Sequence, residues 1–323
     1  MKWSRGIVAC AAIAFATESA AATIVLARKD GPDFAVVREG IAAEVRGAHK
    51  LVDYFMTDAT TYAEFAKAMR EKQPDLVVLM DNIAVSHMIR FGREPDAFAK
   101  GLKAIATMSL NLKRVLEGQK QIAGIAYEVS AFAVISEFRY LVRVPVHRVA
   151  VFYRKSQYDI VIREAKDQLG RAGIELLPVD VEVEGKNAAD VARFLEAELK
   201  ENIQGSRVDA ILVLSDNGLI NEKTFGPVWL KSAKSFGVPL ITNLSAFVSK
   251  DLDFCAFAVS PNLRDLGSQT AEMILSVVND GESPGTIGVN YVLSAGSVAD
   301  FDKLDRLGIK VDEQRAANVR RAE

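Results

Sequence analysis

Two dipeptides in this sequence could do chemistry by position as well as by type. Asp81-Asn82 closes "PDLVVLMDN" (residues 74–82), and Asp216-Asn217 sits in "VDAILVLSDNGLIN" (residues 208–221). Each follows an apolar run that reads as a strand buried on both faces. In a doubly wound sheet, the carboxyl ends of such strands are where ligands bind. There a carboxylate can accept from an ammonium or hydroxyl, and an amide can both donate and accept. The competing use is to cap the following helix. Both uses are open for Asn82. For Asp216 the ligand is favoured, because Ser215 and Asn217 beside it also offer capping groups.

Little in the rest of the sequence suggests catalysis. The three histidines, His49, His87 and His147, show no metal-ligand spacing. No Gly-rich phosphate cradle and no Gly-x-Ser-x-Gly elbow occurs, and Cys255 lies in the apolar run "FCAFAV", where it reads as a core residue. The expectation is a binding protein, not an enzyme, with no metal and no cofactor. Lys and Arg number 40 against 42 Asp and Glu, for a net charge of -2. With no block of like charge, there is no electrostatic case for nucleic acid or an anionic membrane surface.

The N-terminus reads as an export signal. "MKWSR" is a short basic segment, "GIVACAAIAFA" an apolar run too short to span a bilayer, and "TESAAA" ends in small residues. Residues 1–22 are therefore expected to be a signal peptide, cleaved near Ala22, which would place the mature chain in the periplasm without membrane insertion. Cys10 leaves almost no apolar segment ahead of it, so lipidation is not expected. The mature chain then holds Cys255 alone and can form no intrachain disulfide.

The elements that must position these residues alternate. "TIVLA", "LVDYFM", "DLVVLM", "AIATM" and "IAGIAY" read as strands, with helices over "DFAVVREGIAAEV", "TYAEFAKAMREK" and "LNLKRVLEGQ" between some of them. The order restarts at "HRVAVFYR", continues through helix "YDIVIREAKDQLGRAG", strand "IELLPVDV", helix "AADVARFLEAELKEN" and strand "DAILVLS", and reaches helix "NEKTFGPVWLKSAKSFG" and strand "PLIT". Such alternation predicts an α/β fold of parallel sheets with helices on both faces. Two echoes mark a duplication: "VLARKDGPDFAVVREG" pairs with "VFYRKSQYDIVIREA", and "DLVVLMDN" with "DAILVLSDN". If the two Rossmann-like lobes face each other, both Asp-Asn pairs point into the cleft between them.

In this order of motifs, the chain resembles the periplasmic substrate-binding proteins of ABC transporters, in the tryptophan and tyrosine branch. The resemblance runs from about residue 23 to the C-terminus. It is carried by the second-lobe opening from "HRVAVFYRK", by "VDAILVLSDN", by "NLRDLGSQTAEMILSVVNDGESPGTIGV" and by the tail "SVADFDKLDRLGIKVDEQRAANV". It implies the type I periplasmic binding fold, two lobes joined by a multi-strand hinge, and closure on a small molecule for delivery to an ABC permease by a monomeric receptor. Lobe 1 is expected over 23–128 plus 261–284, and lobe 2 over 129–260 plus 285–323. Asp216-Asn217 match the family pattern outright. Asn82 stands where Thr or Ser is usual, Ser109 and Asn111 stand in place of a Thr/Ser-Asp-Pro turn, and Asn262 replaces an Asp-Tyr pair.

The expected cargo is a small polar or zwitterionic solute, amino-acid-like and of aromatic type in the nearest branch. Asp216 would take its ammonium, and Asn82, Ser109 and backbone N–H groups its carboxylate. Tyr127, Tyr153, Tyr158 and Phe34 are either pocket walls or core. Asp30, Asn111, Glu128, Ser156, Asn217, Asn243 and Asn262 complete the candidate binding set. The alternative function is a periplasmic sensor that closes on its ligand and docks on a histidine kinase or chemoreceptor.

Overall fold

The computed structural model describes residues 21–181, 190, 193–194, 196–198 and 208–323. The expected signal peptide, with Cys10, lies outside the described residues apart from its last two positions. Most of the helix expected over 188–202 lies outside them too.

Strands β1 (Thr23–Lys29), β2 (Lys50–Met56), β3 (Leu76–Leu79), β4 (Lys103–Ser109) and β5 (Ile122–Ala126) pair in parallel, in the order β5-β4-β3-β1-β2. The second half repeats that order with β6 (Arg148–Tyr153), β7 (Glu175–Asp180), β8 (Ala210–Val213), β9 (Leu240–Thr242) and β10 (Phe257–Pro261), as β10-β9-β8-β6-β7. The two sequence echoes therefore occupy equal places. One begins each sheet at β1 and β6, and the other ends the third strands, β3 and β8. All four residues of both β3 and β8 are buried, which is why neither strand alternates.

Period-two geometry divides each sheet's apolar residues between two cores. Val25 and Ala27 pack with Phe65, Met69 and Phe91 on one face of the first sheet, and Ile24 and Leu26 with Val37, Ile41 and Ile274 on the other. In the second sheet, Val149 and Val151 pack with Phe138 and Phe257, and Ala150 and Phe152 with Trp229 and Phe254.

The chain passes between the sheets more than once. After β5 it enters helix Ala131–Leu141, whose Val134, Ile135 and Phe138 belong to the second core. After β10 it enters helix Leu263–Val278, which packs on helix Pro32–Val45 beside the first sheet. Gly40 and Gly267 set that contact. A Cβ on Gly40 would sit 2.3 Å from the Arg264 carbonyl oxygen and 2.9 Å from Gly267 Cα. Next, β11 (Val289–Tyr291) pairs in parallel with β5, so the chain is still in the first sheet beyond residue 285, where sequence reasoning placed its departure. Only then do β12 (Ala295–Ala299), antiparallel to β10, and β13 (Arg320–Arg321) complete the second sheet.

Two helices differ from expectation for backbone reasons. "LNLKRVLEGQ" forms just one turn, Leu112–Val115, because Met108 and Asn111 ahead of it take left-handed backbone, each with φ of 55°. The helix over "NEKTFGPVWLKSAKSFG" starts only at Phe225 and opens with a wide turn, Phe225–Leu230, in which the Trp229 N–H reaches back to the Thr224 carbonyl. Pro227 within that turn has no N–H to hold a regular ladder.

Candidate functional site

The carboxyl ends of β5 and β9 open onto one cleft between the sheets. It holds about 480 Å³ of space free of protein atoms, part of it open to solvent. Its walls are largely hydrocarbon and phenol: Leu112, Val129, Val161, Leu214, Tyr158 and Tyr291. Polar side chains reach it from several elements, namely Asn111, Lys113, Glu128, Ser130 and Asn243. Four residues of the expected set thus meet here: Asn111, Glu128, Tyr158 and Asn243.

Each is positioned by a local device. Residue β4-to-β5 register shifts between Ala106 and Ser109, and the left-handed Met108 and Asn111 follow. This bulged turn aims the Asn111 N–H at the Glu128 carboxylate, where it donates. Asn is among the residues that tolerate this backbone best. Burial pushes the Glu128 carboxyl up, against the lowering effect of the backbone N–H groups of Asn111 and Glu128 itself. Asn243 follows β9 and is only 6% exposed, and its Oδ1 has no hydrogen-bond partner. Tyr158, on helix Lys155–Arg171, donates its hydroxyl to the Ser215 carbonyl at 2.9 Å. Burial, and then the charges of Asp216 and Glu128, push that phenol's pKa upward.

The cleft is also bridged. From the first sheet's side, Lys113 Nζ donates to Glu164 Oε2 at 3.0 Å and the Tyr291 hydroxyl donates to the same oxygen at 2.8 Å. Lys113 Nζ lies 4.2 Å from the centre of the Tyr291 ring. Glu164 belongs to helix Lys155–Arg171 of the second lobe. Next to this clasp, Asn111 Nδ2 donates to the Gln157 carbonyl at 3.1 Å, and Arg114 to the Gln157 side chain. Ser156 lies in the adjoining depression with Lys113, Arg114 and Lys155.

The other expected residues do different work. Asp216 does not offer its carboxylate to a ligand. Its side chain is 1% exposed and accepts from Arg154 Nε at 3.0 and 2.9 Å. It also accepts from the Gly218 N–H at 2.9 Å. A buried carboxylate held by a guanidinium fork is already neutralised, so the expected ammonium contact is corrected to an internal ion pair. A Cβ on Gly218 would meet Arg154 Cζ at 2.3 Å, so a larger residue there would have to displace the guanidinium. Asn217 is exposed, and its carbonyl accepts from Asn221.

In the first half, Asp81 caps helix Asn82–Phe91 by accepting from the Ala84 N–H. Asn82 braces the β4 turn, donating to the Leu110 carbonyl and accepting from its N–H, both at 2.8 Å. Ser109 is fully buried and donates to the Thr107 carbonyl, so it presents no hydroxyl to a carboxylate. Asn262 caps helix Leu263–Val278. Tyr127 and Phe34 pack against the first core, Tyr153 belongs to the second, and Asp30 is an exposed bend residue after β1.

Sequence reasoning missed Lys113, Glu164 and Tyr291. Tyr291 was assigned to the wrong lobe by the boundary at 285, and nothing in the spacing of Lys113 and Glu164, 51 residues apart, pairs them. Among the described residues no cluster could hold a metal ion, and no helix is long and apolar enough to cross a membrane.

Solved structures share this architecture. A domain from Streptococcus pneumoniae, described in complex with L-Trp, superposes with a TM-score of 0.59 at 20% identity, covering 94% of this chain and 100% of that one. A ligand-free, open substrate-binding protein with adhesive properties from Clostridium difficile gives 0.65 at 14% identity, covering 94% and 99%. A substrate-binding protein from Desulfitobacterium hafniense in complex with Leu gives 0.52 at 15% identity, covering 82% and 87%. These likenesses show the fold, that of the type I periplasmic binding proteins. No curated protein sequence matches. The family model for ABC transporter substrate binding proteins matches residues 39–320, and the chain belongs to that family.

Proposed function

We propose that this chain is the periplasmic receptor of an ABC importer. Its lobes close on a small polar solute of amino-acid size, and the closed form docks on a membrane permease. The observation that carries this reading is the convergence of Glu128, from the first sheet's end, and Asn243, from the second's, on one cleft where the Asn243 amide oxygen lacks a partner. A buried acceptor left unmade costs free energy in the empty protein and returns it when a donor arrives. Contacts from both lobes favour the closed form in proportion to how much better it holds the solute than the open one. No bond is made or broken in this cycle.

Native mass spectrometry of the freshly purified mature chain tests the assignment. The wild type should retain a small molecule that Val161→Trp, which fills the cleft from a half-buried helix position, does not. A cargo retained equally by both would place the site elsewhere.

A further inference from the structure

Among the described residues, Lys113 pairs with Glu164 across the clasp, and Asp216 is paired with Arg154 behind Tyr158. Glu128 remains. It accepts from the Asn111 N–H, and no Lys or Arg among the described residues forms an ion pair with it. Helix Ala131–Leu141 begins beside it, with Ser130 Oγ accepting from the Ala133 N–H. A helix start supplies about half a positive charge at most, less than the carboxylate carries. Asn243 Oδ1, buried in the same cleft, adds a second acceptor without a donor. The remaining walls are largely apolar, and Ser130 among them accepts from the Ala133 N–H. The lining ammonium that could answer a second carboxylate, Lys113, is already paired with Glu164.

Resting on the function proposed above, we propose that the cargo is a small organic monocation. It would be a primary amine with an apolar or single-ring body and no free carboxylate, its ammonium held between the Glu128 carboxylate and Asn243 Oδ1. Such a cation balances the charge of Glu128, which no Lys or Arg among the described residues pairs. A zwitterion leaves one negative charge uncompensated in a desolvated site, where an unpaired ion is costly. In the empty protein, burial pushes the Glu128 carboxyl up. With a cation in place the carboxylate is stabilised and that push is relieved.

The test compares matched probes by calorimetry on the mature chain freed of retained cargo: tyramine against tyrosine, tryptamine against tryptophan, isoamylamine against leucine. At least one amine should bind about 10-fold tighter than its parent amino acid. Glu128→Gln should weaken that amine about 30-fold or more, because a charged hydrogen bond becomes a neutral one. The glutamine can still accept from the Asn111 N–H, so the melting temperature should not fall.

An amino acid that binds tighter than its amine, yet still depends on Glu128, overturns the monocation and leaves the cleft as the site. So does a retained cargo with net charge of zero or below. Absence of binding by every amine at millimolar concentration overturns the proposal as well. If Glu128→Gln changes neither probe binding nor cargo retention, the site assignment itself falls.

Discussion

Removing Glu164 should make the receptor leaky without unfolding it. This carboxylate accepts from Lys113 and from the Tyr291 hydroxyl, both from the opposite lobe. The Lys113 and Glu164 side chains are 28% and 42% exposed, so the ion pair is discounted for solvent to about 0.2–1 kcal/mol. A hydrogen bond to a charged group contributes about 1.5–3 kcal/mol when buried, and roughly 1 kcal/mol at this half-exposed rim. Glu164→Ala then costs the closed state about 1–2 kcal/mol, a factor of about 5–30 in the closing equilibrium. The contacts of Asn111 and Arg114 with Gln157 remain, so closure is weakened but not lost.

Stopped-flow displacement of bound cargo should show dissociation faster by about that factor, with association nearly unchanged. Tyr291→Phe should give a smaller effect in the same direction. Because Glu164 touches neither core, the ligand-free melting temperature should hardly move. The pH dependence has a definite sign. Burial raises the Glu164 carboxyl, but hydrogen bonds from Tyr291 and Lys113 outweigh it and the pKa is lowered from 4.5. The clasp is therefore at full strength above the ordinary value and is lost as pH falls through the lowered one. Unchanged dissociation in both variants would refute the clasp.

Other outcomes follow from the same geometry. Asp216→Ala should act on stability rather than affinity. It removes a buried carboxylate on which Arg154 and the Gly218 N–H converge, and the usual penalty for breaking a buried pair, discounted because the Arg154 side chain is 25% exposed, comes to about 2 kcal/mol in chemical denaturation. Gly40→Ala should cost about 3 kcal/mol in the same assay, since its Cβ meets backbone rather than a flexible side chain. The raised Glu128 carboxyl means that the empty folded chain holds its proton where the unfolded chain has lost it. Ligand-free stability should thus fall as pH rises from 4.5 toward the raised value, and melting curves of Glu128→Gln should lack that slope. Amine affinity should fall in the opposite direction, as pH drops through the raised value and the carboxylate is protonated.

Strand runs such as "DAILVLS" and the helices between them were legible because burial on two faces leaves an unmistakable apolar run. The duplication was legible for the same reason. The site was legible only in part. Glu128 and Asn243 could be nominated by their place after a strand, yet their neighbours "GIAYEVSAF" and "ITNLSAF" carry no signal that either faces a cleft. That orientation depends on the bulged turn at Met108 and Asn111 and on how the two sheets meet. Tyr291 was hidden by a three-residue strand too short to show a period, formed because β5 offers it an edge.

The Asp-Asn pairs show why position alone misled. They occupy equal places on β3 and β8, but equal places do not impose equal partners. After β3, the residue that needs satisfying is the start of helix Asn82–Phe91, and Asp81 turns back to cap it. After β8 there is no such helix at once. An arginine arrives instead from the end of β6, and Asp216 closes on it. In both halves the conspicuous carboxylate is spent on the protein itself. An acid near a cleft can serve a ligand only if no cation or helix start of the same chain reaches it first. Glu128 meets that condition because its partners among the described residues are neutral backbone N–H groups, too weak to cancel a full charge. What singles out a binding residue here is therefore the partner it lacks, a property that only the folded chain displays.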